Sequence, residues 1–366
     1  MSAKRVTVTG SGGFLGFHTR SLLLSSGREP AGVTLGASFD LAKAVESIDG
    51  ADRLIHLAGV NRGTDLEIRD GNILFARQLA AVITTCQLPP RAIVFANSTQ
   101  AGNGTTYGTA KEQAASILAA AAAEVGSEFF DCRLPNLFGE HGRPFYNAVT
   151  ATFCQMLADG RTPEIHEDRE LRMLHAQSAA ELLVGDCDAE SSHSLIETTS
   201  VSDLLERLTR ISAVYSDGSI PSLETDFDRD LFNTYRSHLS PEKRVIQLDR
   251  RRDDRGSFFE VIRSHRSGGQ TSFSTTHPTV TRGQHFHRRK IERFSVLAGT
   301  AKISMRKLFT NEVLSFTVNG DKPVAIDMPT LWTHNITNTG PDALYTMFWS
   351  NELFDPAAPD TFPEEV

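Results

Sequence analysis

Two textures of hydrophobic and polar positions divide the chain. From residue 4 to about 137, short apolar runs alternate with segments whose apolar residues recur at helical spacing. The runs predict strands at Val6–Thr9, Val33–Leu35, Arg53–Leu57, Ala92–Ala96 and Phe129–Leu134. Between them, helices are expected at Phe14–Ser26, Leu41–Ile48, Asn72–Cys86 and Lys111–Val125. Strands and amphipathic helices in strict alternation argue an α/β doubly wound parallel sheet. Residues from Pro135 to about Tyr215 are expected to form a substrate side, with helices at Phe145–Asp159 and Ser200–Ile211. Past Lys243 the pattern becomes period-two, rich in Phe, Thr and Val and broken by Gly, Asn and Pro, which predicts an all-β barrel reaching Val366. The segment Ser216–Pro241, with Gly218, Pro221 and a short helix-like stretch Phe227–Leu239, is the expected connector. No internal repeat is visible. The expected division is therefore 1–241 and 242–366.

Composition sets bounds on this picture. A chain of 366 residues is long enough for two domains, each burying its own core. Its net charge of −8 argues against sequence-independent attraction to nucleic acid or an anionic membrane. The one basic run, Arg250-Arg251-Arg252, is short and is followed by Asp253 and Asp254. No apolar run approaches the roughly 18 residues that span a bilayer. Val6-Thr7-Val8 leads into glycines, not into a signal-peptide core, so a cytoplasmic protein is expected. Cys86, Cys132, Cys154 and Cys187 form no CxxC pair and read as buried free thiols.

Candidate chemistry appears first in Gly10-x-x-Gly13-x-x-Gly16, placed after a strand and before a helix. There the first glycine permits a tight turn, the second lets N–H groups approach a pyrophosphate, and the third allows close helix–strand packing. The anion would sit at the positive end of the helix beginning near Phe14. An acid at the end of the second strand ordinarily binds the NAD ribose, but here Leu35 is followed by Gly36-Ala37-Ser38 and no carboxylate precedes Asp40. That leaves room for a 2′-phosphate and favours NADP(H), with NAD as the alternative. Tyr107 and Lys111 lie one helical turn apart, so the ammonium can lower the phenol pKa and hold the nicotinamide ribose. Such a tyrosine can protonate a carbonyl oxygen as hydride arrives, with a hydroxyl placing the carbonyl. Ser98 is the expected hydroxyl and Thr99 the alternative. Together these features resemble the short-chain dehydrogenases/reductases.

The barrel end carries an unrelated set. In His285-x-His287-x4-Glu292-x6-Gly299, with His334-x3-Asn338 on a later strand, alternate residues of one strand face the interior. Three imidazoles and a carboxylate make a facial site for Zn, Mn, Fe or Ni with positions left open. The pattern resembles the cupins, although Thr279 and Leu331 stand where their two motifs usually carry glycine. Asp254-Arg255-Gly256-Ser257-Phe258-Phe259-Glu260 and Arg282-Gly283-Gln284-His285 resemble the deoxysugar 3,5-epimerases, which are also cupins. In those enzymes the histidine of Arg-Gly-x-His is a base beside a 4-keto group. His285 cannot be both that base and a metal ligand, so either the metal does the activating or another residue is the base.

Several longer segments are shared with one family. They are His56-Leu57-Ala58-Gly59-Val60-Asn61-Arg62, Ser98-Thr99-Gln100-Ala101, Arg133-Leu134-Pro135-Asn136-Leu137-Phe138-Gly139 and Arg143-Pro144-Phe145-Tyr146-Asn147. Near the other end, Arg282 to His287 and Trp349-Ser350-Asn351-Glu352-Leu353-Phe354-Asp355-Pro356 continue the likeness. The chain thus resembles, over nearly its whole length, the CapF-type bifunctional enzymes of capsular polysaccharide and O-antigen synthesis, an extended reductase joined to a zinc-binding cupin. The resemblance implies a Rossmann-type domain followed by a jelly-roll. It also implies a step towards UDP-N-acetyl-L-fucosamine. The cupin would epimerise C3 of a UDP-2-acetamido-2,6-dideoxy-4-keto-hexose, and the reductase would use NADPH at C4 to give the L-talose sugar. Carried over residue by residue, Gly10, Gly13, Phe14, Leu15, Gly16, Leu57, Ala58 and Lys111 would hold the cofactor. Arg133, Asn136, Tyr146, Asn147, Arg255 and Arg282 would face the UDP-sugar, and the four barrel ligands would hold zinc. A homodimer is the family expectation. One departure is His175-Ala176-Gln177-Ser178, where such reductases usually show Tyr-Ile-Asp-Asp, which opens the way to another 4-keto nucleotide sugar. The competing readings are a reductase whose cupin only stabilises a dimer, and a non-catalytic nucleotide-sugar or redox sensor.

Overall fold

The computed structural model describes residues 5–28 and 30–366; the four residues that open the expected first domain lie outside the described set. In chain order come β1 (Val6–Thr9), α1 (Phe14–Ser25), β2 (Ala31–Val33), α2 (Leu41–Ile48), β3 (Arg53–His56), α3 (Asp65–Thr85), β4 (Ala92–Ser98), α4 (Thr106–Val125) and β5 (Glu128–Leu134). All five strands are parallel, in the order β2-β1-β3-β4-β5, which is the doubly wound sheet that the alternation predicts. Two helices start earlier than the apolar pattern suggests, because polar caps set their ends. Thr64 and Glu67 form a reciprocal capping box that begins α3 at Asp65, and Thr105 accepts the Gly108 N–H at 3.1 Å to begin α4. Tyr107 therefore sits in the first turn of α4, and Ser98 is the last residue of β4.

Next come β6 (Asn136–Phe138), α5 (Val149–Ala158), β7 (Glu170–His175), α6 (Ala176–Val184), α7 (Ala189–Ser194) and β8 (Glu197–Ser200). β6, β7 and β8 make a small three-stranded sheet that the apolar pattern does not foretell. Adjacent residues of the central strands point to opposite faces. Leu54, Ile93 and Phe95 join a core with Leu79 and Ile83 of α3 and Leu118 of α4. Ile55 and Val94 join another with Leu22 and Leu23 of α1 and Leu183 of α6. Truncating one of these leucines to alanine costs about 2–5 kcal/mol.

The chain packs as two compact units. The first holds the described residues up to Phe138 together with 142–149 and 169–199; the second holds 139–141, 150–168 and 200–366. The second unit contains most of α5, then α8 (Val201–Tyr215), α9 (Asp226–Ser237) and a 3-10 turn at Pro241–Arg244. Its strands are β9 (Val245–Gln247), β10 (Arg251–Asp253), β11 (Gly256–Phe258), β12 (Gln270–Thr276), β13 (Thr281–Phe286), β14 (Glu292–Ala298), β15 (Thr300–Lys307), β16 (Val313–Asn319), β17 (Val324–Met328), β18 (Trp332–Asn338), β19 (Leu344–Ser350) and β20 (Phe362–Pro363). Two five-stranded antiparallel sheets, β12-β19-β14-β17-β9 and β16-β15-β18-β13-β20, enclose Phe294, Val296, Ile303, Met305 and Ile336. This is the expected all-β jelly-roll.

The segment expected to be a connector is instead part of this unit's interior. Leu231, Phe232 and Tyr235 of α9 are buried, and the Gly218 carbonyl accepts from Arg293 at 2.7 Å. Arg293, on the outward side of β14, pairs with Asp327 at 2.6 and 2.9 Å, and the Tyr215 hydroxyl donates to the same carboxylate at 2.6 Å. A buried charge needs such partners, so the Arg293–Asp327 pair holds the chain around Gly218 and α8 to the barrel strands. Cys154 is buried, whereas Cys86, Cys132 and Cys187 are only half-buried; all four are free. Among the described residues no helix is long and apolar enough to cross a membrane.

Candidate functional site

In the first unit the glycine loop closes tightly on itself. Gly10 has φ +69°, and a Cβ there would lie 2.6 Å from the Ala58 nitrogen; one on Gly16 would lie 2.3 Å from the Gly10 oxygen. Both positions thus exclude any side chain. Gly13 caps α1 without a side-chain acceptor, so the first N–H groups of the helix at Phe14 and Leu15 are left for an anion. Leu57 and Ala58 follow β3 directly, and their N–H groups donate to Thr9 Oγ1 at 3.2 and 3.3 Å. With its lone pairs so engaged, the Thr9 hydroxyl donates to His56 Nδ1 at 2.7 Å, which puts the imidazole proton on Nε2. Burial, with Lys111 nearby, lowers the His56 pKa to about 3 and keeps it neutral.

Asp40, the nearest acid after β2, is spent on capping α2: its carboxylate accepts the Lys43 N–H at 3.1 Å. Gly36 is held by Gln78 through bonds of 2.7 and 3.1 Å. The end of β2 therefore presents backbone and small residues where a ribose acid would stand.

The polar trio meets at the ends of β4 and α4. Tyr107 hydrogen-bonds Ser98, which partly offsets the rise in the phenol pKa caused by burial. Ser98 Oγ also accepts the Gln100 N–H at 3.1 Å, whereas the Thr99 N–H is taken by the Leu134 carbonyl at 3.0 Å. The buried Lys111 ammonium donates to the Ala96 carbonyl at 2.7 Å and lies 4.0 Å from the Phe95 ring centroid. Desolvation lowers its pKa to about 7, against the opposing pull of the Asp131 carboxylate. Asp131 in turn accepts from Asn97 Nδ2 at 2.6 Å, and Asn97 Oδ1 accepts the Ser98 N–H at 2.9 Å. Asn97 and Asp131 carry no motif of their own; only the register of β4 on β5 puts them beside Lys111.

Of the expected sugar-facing residues in this unit, Tyr146 lies near two guanidiniums, 5.5 Å from Arg62 and 4.8 Å from Arg143. Arg62 donates to the Phe145 and Tyr146 carbonyls, and Asn147 to the Asn61 carbonyl, so the two family segments are clipped together. Asn136 is exposed and bonds the Arg172 carbonyl at 3.2 Å, and Arg133 pairs with Asp131 at 3.1 Å. His175, at the departure from the usual pattern, is buried against Phe138 and His18.

In the second unit His285, His287, Glu292 and His334 offer ligand atoms that all lie within 4.8 Å of one another. The Glu292 carboxylate is 2.9 Å from His287 Nε2, 3.3 Å from His334 Nε2 and 3.7 Å from His285 Nε2. A bulge between Gly283 and His285 sets His285 opposite His334 on β18. The other ring nitrogens define the protons. His287 Nδ1 donates to the Asp360 carbonyl at 2.5 Å and His334 Nδ1 to the Trp332 carbonyl at 3.3 Å. Both Nε2 atoms then carry lone pairs aimed at a carboxylate, an arrangement of acceptor against acceptor that a cation resolves. Burial lowers the His334 pKa to about 4, so the ring is neutral near pH 7 and able to ligate a cation. Burial works to raise the Glu292 pKa; only imidazoles that turn a proton toward the carboxylate hold it well below the usual range, and with the protons on Nδ1 that role falls to a cation. His285 and His287 Nε2 are buried without hydrogen-bond partners. The donor set fits a divalent metal such as zinc.

Thr279 and Leu331, which replace the usual cupin glycines, keep the left-handed backbone at φ 69° and 62°. The Leu331 N–H donates to the His287 carbonyl at 2.8 Å, so that turn ties the strand of His334 to the strand of His287. Beside the ligands lies a cavity of about 220 Å³ lined by Gln270, Ser272, Lys290, Glu292, Phe348 and Ser350, among others. Lys290 Nζ is 3.9 Å from Glu292 Oε1 and donates to the Pro359 carbonyl and Thr361 hydroxyl. Among the described residues, neither Arg255 nor Arg282 lines this cavity. Arg255 is exposed on the β10–β11 hairpin and paired with Asp253 at 2.6 Å; Arg282 bonds Thr276 Oγ1 at 3.1 Å. Lys290 and Asp360 escape sequence reasoning because a lone basic or acidic residue in a loop carries no periodic signal.

Comparison with known proteins matches two families. The NAD dependent epimerase/dehydratase family covers residues 6–180, and the polysaccharide biosynthesis C-terminal domain covers 251–362. The chain is 30% identical, over 98% of its length and 98% of the relative's, to a UDP-2-acetamido-2,6-beta-L-arabino-hexul-4-ose reductase of Pseudomonas aeruginosa. Its structure is similar to that of the capsular polysaccharide assembling protein CapF from Staphylococcus aureus, with a TM-score of 0.61, 29% identity and coverage of 99% of this chain and 100% of that one. UDP-glucose 4-epimerase from Thermotoga maritima shares the fold alone, at TM-score 0.53 and 16% identity over 64% of this chain and 98% of that one.

Proposed function

The chain belongs to the CapF-type family of capsular polysaccharide enzymes, and on that premise we propose that it is a bifunctional nucleotide-sugar enzyme. Its barrel epimerises C3 of a UDP-2-acetamido-2,6-dideoxy-4-keto-hexose, and its Rossmann-type domain reduces C4 to give the L-talose sugar. The nucleotide-binding unit carries the reductase and the barrel unit, which also takes in residues 200–241, the epimerase, in a cytoplasmic homodimer. The observation that carries this reading is that one chain assembles both a Ser98–Tyr107–Lys111 trio and a His285–His287–Glu292–His334 cluster.

The Gly10–Gly16 loop, Leu57, Ala58 and Lys111 would hold NADPH, which would supply the hydride. The capping role of Asp40 supports NADPH over NADH, since no acid remains at the end of β2 to select a free 2′-hydroxyl. Tyr107 gives its proton to the sugar O4, Ser98 orients that oxygen, and the Lys111 charge eases the loss of the phenolic proton. In the barrel, His285, His287, Glu292 and His334 would hold a divalent metal, whose positive charge would favour an acidic C3–H beside the C4 ketone. Lys290 adds a cation to the cavity wall where the sugar is proposed to lie, and Phe348 gives that wall an apolar surface.

The test is proton NMR of the 4-keto sugar incubated with the protein in D2O, before and after addition of NADPH. Deuterium entering C3 without cofactor, followed by NADPH-dependent loss of the ketone, is the expected result. Loss of the ketone without C3 exchange would reduce the barrel to a stabilising role. No change at all would point to another sugar or to a sensor.

A further inference from the structure

We propose that Asp360 is the positioning residue of the barrel's metal site, an inference that rests on the reading of the four-ligand cluster as a metal centre. Asp360 is 3% exposed and holds four consecutive residues. Its carbonyl accepts His287 Nδ1 at 2.5 Å; its carboxylate accepts the N–H groups of Arg288 at 3.2 Å, Arg289 at 2.9 Å and Lys290 at 2.7 Å. These residues form the loop between the end of β13 and the start of β14, which is the stretch of chain joining the ligand His287 to the ligand Glu292. One side chain thereby sets the spacing of two ligands, and its backbone sets the tautomer and orientation of one of them.

The loop grips the segment around Asp360 in return. Lys290 Nζ donates to the Pro359 carbonyl and the Thr361 hydroxyl, and the Arg289 guanidinium to the Ala358 carbonyl at 3.2 Å. Immediately beyond, β20 pairs with β13, placing Pro363 opposite His285 and Phe362 opposite Phe286. Residues 358–363 therefore run beside His285 of β13 and His287 just past its end. A carboxylate facing three successive N–H groups is an anion-binding nest filled from within the chain, and its loss leaves the buried Lys290 N–H and the part-buried Arg288 and Arg289 N–H groups without that acceptor. Asp360 has φ 45°, a conformation that Asn and Gly also adopt readily, so both can replace it with the backbone path retained.

The experiment uses the full chain, with Zn2+ affinity measured by chelator competition and Co2+ as the spectroscopic probe, well below the unfolding transition. D360N and D360G are expected to weaken Zn2+ binding by about 10–100-fold. The visible Co2+ spectrum should change, reporting a displaced His287, while NADPH binding stays at the wild-type level. T361A, which loosens Lys290 but touches no bond to His287, should keep wild-type Zn2+ affinity. Unchanged affinity in D360N would overturn the proposal, as would an equal loss in T361A, which would make the segment general packing. If D360G fails to fold, D360N alone decides. A wild-type protein that binds neither Zn2+ nor Co2+ removes the metal reading itself, a result distinct from either.

Discussion

Lys111 and its surroundings set how the proposed reductase should respond to pH. The charged and titratable groups that act on its ammonium are the neutral His56 on β3 and the Asp131 carboxylate on β5, itself paired with Arg133. Burial lowers the Lys111 pKa to about 7, and Asp131 is what resists a further fall. Reduction needs the charged ammonium, so activity should decline as pH rises through that value. Asp131→Asn removes the supporting charge, and the alkaline limb of the kcat/KM profile for ketone reduction should move to lower pH. An unmoved limb would show that Asp131 does not act on Lys111. Tyr107→Phe deletes the proton donor and should slow NADPH-dependent reduction by about 10²–10⁴-fold. Deuterium exchange at C3 in the same variant should continue at the wild-type rate, because the exchanging site lies in the other unit; a parallel loss of exchange would contradict two separate sites.

At the scale of elements, the two left-handed turns of the barrel make a matched pair with opposite expectations. An L-residue in this conformation costs about 1–2 kcal/mol, and glycine recovers most of that less about 0.5–1 kcal/mol of chain entropy. Thr279 is exposed, so Thr279→Gly should stabilise the barrel by about 0.5–1 kcal/mol in chemical denaturation. Leu331 is fully buried, and Leu331→Gly forfeits about 2–5 kcal/mol of packing, so it should destabilise. Equal signs for the two would sink the account. These turns also mark what the sequence can convey. A Tyr–Lys pair on one helical turn is legible because the helix period alone brings it together; His285, His287 and Glu292 are legible because they fall within eight residues of sequence, although they lie on β13, in the loop after it and on β14 of the facing sheet rather than on one strand as expected. The start of α3 is missed because Thr64 and Glu67 set it through a cap, outside the apolar stripe. Asp360 meets His287 across 73 positions of sequence, and Asp131 meets Lys111 only through sheet register, so neither has a local pattern to read. The burial of α9 was likewise hidden, since its Asp- and Arg-rich stretch reads as a solvated linker until Leu231, Phe232 and Tyr235 find the interior.

At the scale of the whole molecule, the nucleotide loop and the metal cluster fall in different compact units, and thermodynamic linkage turns that into a measurable difference. A ligand stabilises only the cooperative unit that binds it, by about 2.7 kcal/mol at a hundredfold excess over its Kd. For units of this size that amounts to roughly 5–10 °C in transition temperature. In a calorimetric scan, NADPH should therefore raise one transition and leave the other in place. Chelation of the metal should do the reverse, lowering the barrel's transition and sparing that of the nucleotide-binding unit. Asp360→Asn should reproduce the chelated scan in part, since it acts on metal retention, whereas Tyr107→Phe should leave both transitions where they are. If both ligands move a single transition together, the chain unfolds as one cooperative body, and the assignment of separate ligands to separately stable units fails.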